Sequence, residues 1–404
     1  MMKAVILAAG DGRRMNPLTQ TRPKAMLPVA DRPIMEHLVD EILAAGVSEF
    51  IFIIGSNGQS IKDYFGDGRS FGASIKYILQ ERPLGTAAAI SLAEGSTAGS
   101  FLVACGDGIV RHTDIARLLE PGGNQLGVRT STRPERFGAI ELDNARVAHI
   151  WEKSPNPPSN MVCTGVYLFT SEIFDALSAT PISERGEYEL PDVINIMIGR
   201  GIQVGHVCLD SWREISYPWD LLDASGEIAA GVDGLNEGII ETGVTIEGTV
   251  QIGAGSRLRA GTYVSGPVII GKNCDLGPNC YIRPVTVIGD GCRIGSGVEL
   301  KNSLIMSGTM ISHLCYVGDS VVGSGCNLGA GTKVANLRLD ESEIIVRGVP
   351  TGRNKLGVIM GDGVRTGINA CLNPGTVIGS GAWIGPGVQA RGEIASGAKL
   401  LHSL

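Results

Sequence analysis

Val5-Ile-Leu-Ala-Ala-Gly10-Asp-Gly12-Arg-Arg14-Met-Asn-Pro-Leu-Thr19, followed by Arg22-Pro-Lys24-Ala-Met-Leu-Pro28, runs an apolar strand straight into a glycine turn flanked by cations. Glycines at 10 and 12 let the backbone take conformations closed to other residues and aim N–H groups at an anion. Arg14 and Lys24 add full positive charge beside that turn. The spacing is neither that of a P-loop nor that of a dinucleotide fingerprint. Such a turn can wrap a triphosphate.

Outward from this stretch, Val5 to Leu7 reads as strand, Ile34 to Ala45 as an amphipathic helix and Phe50 to Ile54 as a second strand, which makes a βαβ unit. Strands at Ser74 to Ile78 and Phe101 to Ala104, with a helix over Gly85 to Ala93, extend a mostly parallel sheet covered on both faces. Ligands of such sheets sit beyond the carboxyl ends of the strands, where the glycine turn falls. Gln80, Gly85 and Thr86 follow one strand and open a helix, so amides there face a base or phosphate. Asp107 follows another strand, well sited to hold Mg²⁺ on phosphates.

The totals limit the ligand. A chain of 404 residues calls for two domains, and its glycines crowd the second half. Net charge is −7 with no long basic run, which argues against nucleic-acid or membrane-surface partners and for small-molecule substrates. No stretch of about 18 apolar residues occurs and Met1-Met-Lys leads directly into a strand, so a cytoplasmic location is expected. Nine cysteines without a CxxC pair fit reduced thiols rather than a disulfide framework or a zinc site.

Leu7-Ala8-Ala9-Gly-x-Gly-x-Arg14-Met, Pro23-Lys24, Gln80-x-x-Pro-x-Gly85-Thr86-Ala87 and Gly106-Asp107 occur in that order, and together they resemble the sugar-phosphate nucleotidylyltransferases. The likeness continues through Phe137-Gly-Ala-Ile-Glu-Leu-Asp143, Trp151-Glu152-Lys153, Thr164-Gly165 and Tyr188-Glu-Leu-Pro-Asp192. It implies a nucleoside triphosphate, UTP or dTTP, held by Ala8, Ala9, Gly10, Gly12, Gln80, Gly85 and Thr86. It also implies Arg14 and Lys24 on the leaving pyrophosphate and Lys153 on the sugar phosphate, with Glu152, Thr164 and Gly165 lining the sugar pocket. In that family a second Asp completes the Mg²⁺ site with the one at 107. Here Glu214 stands in its place within Trp212-Arg-Glu-Ile-Ser-Tyr-Pro-Trp-Asp220, with Asp220 as the fallback ligand.

From Ile240 the chain takes a six-residue period, with aliphatic or Met side chains at 240, 246, 252, 258, 264, 270, 276, 282, 288, 294, 300 and 306. Hexapeptides of this kind stack into a parallel β-helix with room inside for one aliphatic column and small partners. Cysteines 274, 280, 292 and 326 therefore read as core filler. The period slips near Ser312 to Val321, and a longer break over Leu337 to Lys355 reads as a projecting loop carrying Arg338, Arg347, Arg353 and Lys355. The expected organisation is a Rossmann-like α/β nucleotidyltransferase domain over 1–226, a linker over 227–238 and a left-handed β-helix over 239–404.

Leu300-Lys301-Asn-Ser, His313-Leu-x-Tyr316-Val-Gly-Asp and Asn327-Leu-Gly-Ala-Gly-Thr-x-x-x-Asn336 resemble the amino-sugar-phosphate acetyltransferase half of bifunctional nucleotidylyltransferases. The Gly352-Arg-Asn-Lys355-Leu-Gly ending of the long break is similar to the archaeal form. The resemblance implies acetyl-CoA as donor, His313 as general base, and Arg283, Lys301 and Tyr316 on the sugar phosphate. It places Asn327 and Asn336 near the amine and Lys355 in the substrate site, and implies a homotrimer built through the β-helix. A nucleotidylyltransferase alone, with the β-helix as a trimerisation or regulatory module, is the alternative.

Overall fold

A computed structural model describes Met2 to His402. The chain divides into two compact units. The first takes the residues through Asp11, Arg22–Met26 and Pro33–Glu214; the second gathers Gly12–Thr21, Leu27–Arg32 and the chain from Ile215 onward. The division falls at Glu214, ahead of the 227–238 stretch, whose first residues finish the helix Asp220–Ala229.

In the first unit Lys3–Ala8 is the central strand, parallel to Glu49–Ile54 on one side and to Ser100–Cys105 on the other. Glu49–Ile54 pairs in turn with Ser74–Leu79, again parallel. The period of two along a strand sends alternate side chains to opposite faces. Accordingly Ala4, Ile6, Phe50 and Phe52 join one apolar core, while Val5, Ile51 and Ile53 join another across the sheet. The parallel expectation holds for these four strands; beyond them the sheet is mixed, with Val204–Cys208 parallel to Asn124–Thr130. Met161–Thr170 runs antiparallel to Ser100–Cys105 and Asn124–Thr130, and Gly138–Asp143 pairs antiparallel with Arg146–Glu152. Hairpin-connected strands return directly and need no crossover helix.

The chain from Ile239 forms a left-handed parallel β-helix: three sheets in which each strand pairs with the third coil strand after it, the inserted strands Ile345–Val346 and Val349–Pro350 left aside. Its core is one column that includes Leu258, Leu276, Ile294, Ile311 and Leu328, with Cys274, Cys280, Cys292, Cys315 and Cys326 between the larger side chains. The expected cysteine filler is therefore in place, and Cys315 joins it. The six-residue count needs one correction. Ile288 sits beside Ile305, not Met306, and Ile305 beside Val322. Two steps in this region are thus five residues long, Leu300 to Ile305 and Val317 to Val322, whereas the step through His313 keeps its full length. The expected slip over 312–321 contains the second of these steps, while Cys315 and Val317 within it stay in the core.

The long break is corrected as well. Leu337 and Lys355 close it with an antiparallel bridge, and Ile345–Val346 pairs with Val349–Pro350 as a hairpin. Arg347 and Gly348 take φ of 51° and 75° in its two-residue turn, the backbone such a tight hairpin requires. Ile344, Val346 and Leu356 are buried, so the segment folds back onto its own unit instead of projecting. Its arginines are occupied: Arg338 pairs with Asp340, Arg347 with Glu393 and the Asn16 carbonyl, and Arg353 with Asp223 and the Trp219 carbonyl.

Candidate functional sites

In the first unit the carboxyl end of the central strand leads to Ala8 and Ala9, both nearly buried, and to an exposed Gly10 whose Cα faces open space. Lys24 is 8% exposed and its ammonium lies 2.6 Å from Asp107 Oδ2. Arg213–Glu214 pairs antiparallel with Gly108–Ile109, setting Glu214 opposite Gly108 and thus beside Asp107. Burial raises the Cys105 thiol pKa well above its ordinary value, and the nearby charges of Asp107 and Glu214 raise it further. Asp107 and Glu214 thus sit on neighbouring segments beyond the strand ends. Oxygen donors of this kind fit a hard cation such as Mg²⁺, which usually takes one or two protein carboxylates. Asp220, the fallback ligand, accepts the Ser216 and Tyr217 N–H groups at 2.8 and 2.7 Å through Oδ2, at the start of its own helix.

Around this pair the glycine positions are sterically fixed. Gly85 has φ of 101°, and a Cβ there would stand 2.4 Å from the Tyr188 carbonyl oxygen. Tyr188 N–H donates to Leu84 O and the Ala87 N–H to Tyr188 O, so the Gly85-Thr86 turn is tied to the Tyr188–Asp192 motif. Gln80 Nε2 reaches the Gly85 carbonyl at 3.4 Å and Thr86 Oγ1 accepts the Leu190 N–H at 3.3 Å, so both side chains serve the turn itself. Gly165 has φ of 79°, and a Cβ there would come within 3.0 Å of Cys105 Sγ. Thr164 does not present its hydroxyl proton to a pocket. It is buried and donates to the Gly127 carbonyl at 2.8 Å, where the pairing of Met161–Thr170 with Asn124–Thr130 shifts register.

Glu152 ends the strand Arg146–Glu152, and Lys153 follows with φ of 48°, its ammonium 3.2 Å from Glu152. Arg185 joins them, 3.1 Å from Glu152 and also bonded to Glu189. Sequence reading passed over Arg185. Its only signal is the charged run Glu184-Arg185-Gly186-Glu187 just ahead of the Tyr188 motif.

In the second unit, Gly12 takes a left-handed conformation and opens the short helix Arg13–Met15. Met15 is buried, and the Arg14 guanidinium lies 5.7 Å from the centre of the Tyr217 ring, itself stacked on Trp219. The β-helix brings a second polar group together on one face. Arg283 pairs with Glu299 at 2.9 Å, Lys301 with Asp319 at 2.9 Å, and Asn336 donates to Asp319 beside the Tyr316 hydroxyl. His313 is exposed at the adjoining corner, between Met310–Ile311 and Tyr316–Gly318. Asn327 is not part of that face within one chain: its strand, Asn327–Leu328, belongs to the neighbouring sheet. Lys355 stands at the base of the folded-back hairpin, opposite Leu337.

An α/β unit with paired carboxylates beyond its strand ends, followed by a hexapeptide β-helix with a His at a polar corner, defines a nucleotidyltransferase joined to an acyltransferase-type module. The family profile "Nucleotidyl transferase" matches residues 3–231, and "GMPPB C-terminal domain" matches 264–378. A "Bifunctional protein GlmU" of Methanococcus maripaludis is 39% identical over 391 residues, covering 95% of this chain and 93% of the relative. The "Bifunctional sugar-1-phosphate nucleotidylyltransferase/acetyltransferase" of Sulfurisphaera tokodaii is 38% identical over 409 residues, covering 98% and 99%. Among solved structures, a putative glucose-1-phosphate thymidylyltransferase from Bacillus anthracis superposes with a TM-score of 0.54 at 28% identity, covering 58% of this chain and 98% of its own. The chain belongs to the family of bifunctional sugar-1-phosphate nucleotidylyltransferase/acetyltransferases.

Proposed function

We propose that the chain acetylates glucosamine 1-phosphate or its galactosamine epimer and joins the N-acetylated product, or glucose 1-phosphate, to a uridylyl or thymidylyl group. Nucleotidylyl transfer is assigned to residues 1–226 and acetyl transfer to 239–404. The supporting observation is that both polar clusters are assembled in one chain matched nearly end to end by bifunctional relatives.

In the first reaction a phosphate oxygen of the sugar 1-phosphate attacks the α-phosphorus of the nucleoside triphosphate, and pyrophosphate leaves. No covalent nucleophile is needed, so catalysis is positioning and charge neutralisation. Amides of Ala8, Ala9, Gly10 and Gly12 cradle the phosphates, and the Gly85-Thr86 turn, braced by Gln80, frames the base. Arg14 and Lys24 stabilise the leaving pyrophosphate. Lys153, with Arg185 beside it, steadies the attacking phosphate, while Glu152 accepts from sugar hydroxyls over the Thr164-Gly165 backbone. Mg²⁺ held by Asp107 with Glu214 supplies charge neutralisation at the phosphates when bound.

In the second reaction the amine attacks the thioester carbonyl of acetyl-CoA; the N–C bond forms, the C–S bond breaks and CoA leaves as the thiol. His313 removes the amine proton and returns it to the leaving sulfur. Arg283, Lys301 and Tyr316 hold the sugar phosphate. Backbone N–H groups receive the oxyanion. Acetyl-CoA lies in a groove between neighbouring β-helices of a homotrimer, where Asn327 and Lys355 complete the substrate site beside Asn336. The enzyme works in the cytoplasm on small molecules.

Purified protein given acetyl-CoA and each hexosamine 1-phosphate, and separately a nucleoside triphosphate with Mg²⁺ and each sugar 1-phosphate, tests both halves by release of thiol and of pyrophosphate. Release in both assays is expected. Pyrophosphate without thiol would instead leave a nucleotidylyltransferase whose β-helix is an assembly module.

A further inference from the structure

Three successive coils of the β-helix abandon the six-residue step at the same corner. Leu300 to Ile305 and Val317 to Val322 are five-residue steps, and after Val334 the chain leaves for the hairpin closed by Leu337 and Lys355. Each departure carries polar side chains: Lys301 and Asn302 in the first, Asp319 in the second, Asn336 in the third. Asp319 is their centre. It is 3% exposed and accepts from Lys301 Nζ at 2.9 Å, from Asn302 Nδ2 at 2.6 Å and from Asn336 Nδ2.

A carboxylate that faces an ammonium and two amide groups acts only as an acceptor, and this settles which way the Asn336 amide points. Its Nδ2 turns to Asp319, with the Tyr316 hydroxyl close by. Both atoms lie directly over Gly318: a Cβ there would stand 2.5 Å from the Tyr316 hydroxyl and 2.9 Å from Asn336 Nδ2. With its Nδ2 committed to Asp319, Asn336 offers Oδ1 to a ligand, and Oδ1 accepts.

We propose that Asp319 is a positioning residue for acetyl transfer: it orients the Asn336 amide so that an acceptor meets the amino group of the sugar, and anchors the Lys301 ammonium that meets the phosphate. The proposal rests on the acetyl-transfer reading of this same site. Asp319 itself stays buried beneath the reacting groups and acts through its two neighbours.

Asp319→Asn is the direct test. Asp319 has φ of 49°, in the left-handed region that Asn tolerates as well as Asp, so the isosteric variant keeps the turn where Ala would strain it. The introduced amide presents either a donor or an acceptor, which frees Asn336 to rotate and removes the counter-charge of Lys301. Thiol release from acetyl-CoA with glucosamine 1-phosphate should lose about tenfold to a hundredfold in kcat/KM, mainly as a higher KM for the amino-sugar phosphate. The KM for acetyl-CoA and pyrophosphate release should stay at wild-type values.

Asn336→Asp alone sets two carboxylates face to face and should lose more. Combining it with Asp319→Asn restores one donor against one carboxylate, keeps an outward oxygen, and should recover about tenfold over the worse single variant. Wild-type kinetics in Asp319→Asn, an equal loss in both reactions with a lowered midpoint, or no recovery in the exchanged pair would each overturn the proposal while leaving acetyl transfer intact. Wild-type protein that releases no thiol from either hexosamine phosphate would overturn the acetyl-transfer reading and this proposal with it.

Discussion

The two units assemble their polar groups by different routes. In the first, Lys24, Asp107 and Glu214 come from segments far apart in the chain and meet because a sheet brings its strand ends to one edge. In the β-helix, Lys301, Tyr316, Asp319 and Asn336 come from successive coils and meet because stacking places equivalent corners above one another. A site of the first kind hangs on loops beyond a core that does not depend on it. A site of the second kind shares its backbone with the stack. Catalytic and structural substitutions should therefore separate cleanly in the first unit and overlap in the second.

The sharpest test of that contrast is Asp107→Ala. Removing one carboxylate of the pair and the partner of Lys24 should cut Mg²⁺-dependent pyrophosphate release about a thousandfold or more, with thiol release unchanged. Retained pyrophosphate release would place the metal elsewhere. His313→Ala is the mirror experiment: a lost general base should slow thiol release about a hundredfold or more while pyrophosphate release holds. His313 is exposed at a corner of full length, so its loss should leave the melting profile unmoved. A change in both assays would deny that the sites are separable.

The overlap itself is tested in the column. Leu300 is fully buried one residue from Lys301, and Leu300→Ala should cost about 2–5 kcal/mol of β-helix stability in thermal or denaturant unfolding. It should also weaken thiol release by displacing Lys301. An unfolding midpoint that drops with unchanged thiol release would show that this site is less bound to its stack than the hydrogen bonds indicate.

A smaller effect concerns the thiols. Burial pushes the Cys280 pKa up to about 11 and those of Cys163, Cys292 and Cys326 up to about 12, while Cys208 and Cys371 are exposed. A raised pKa lowers the thiolate fraction at any pH beneath it, so a thiol reagent near pH 8 should label Cys208 and Cys371 at once and the buried group only on unfolding. Fast labelling of Cys280 or Cys292 would mean that the column opens in the native state.

Much of this was readable before any coordinates. The strand-to-glycine turn, the βαβ unit and the aliphatic column are local patterns, since side chains two residues apart on a strand share a face and those six apart on a coil point into one core. Reading went astray where a pattern has two structural meanings. A missed beat in the hexapeptide count looks alike whether a coil breaks or merely loses one residue, and only the pairing of Ile288 with Ile305 separates the two. Clustered arginines between Leu337 and Lys355 look alike whether they face solvent or ion-pair, and Glu393, Asp340 and Asp223 decide it.

Arg185 and Asp319 mark the same limit from the other side. Arg185 stands in no quoted motif and Asp319 only closes one, because each draws its meaning from partners elsewhere in the chain: Glu152 for one, Lys301 and Asn336 for the other. By itself the sequence determined the elements, the stacking repeat and the residue types that carry charge, because periodicity and backbone permissiveness are properties of neighbours along the chain. The tertiary structure alone decided which carboxylates converge, which arginines are occupied and which way the Asn336 amide points. Those outcomes depend on distances of a few ångströms between residues that sequence order does not bring together.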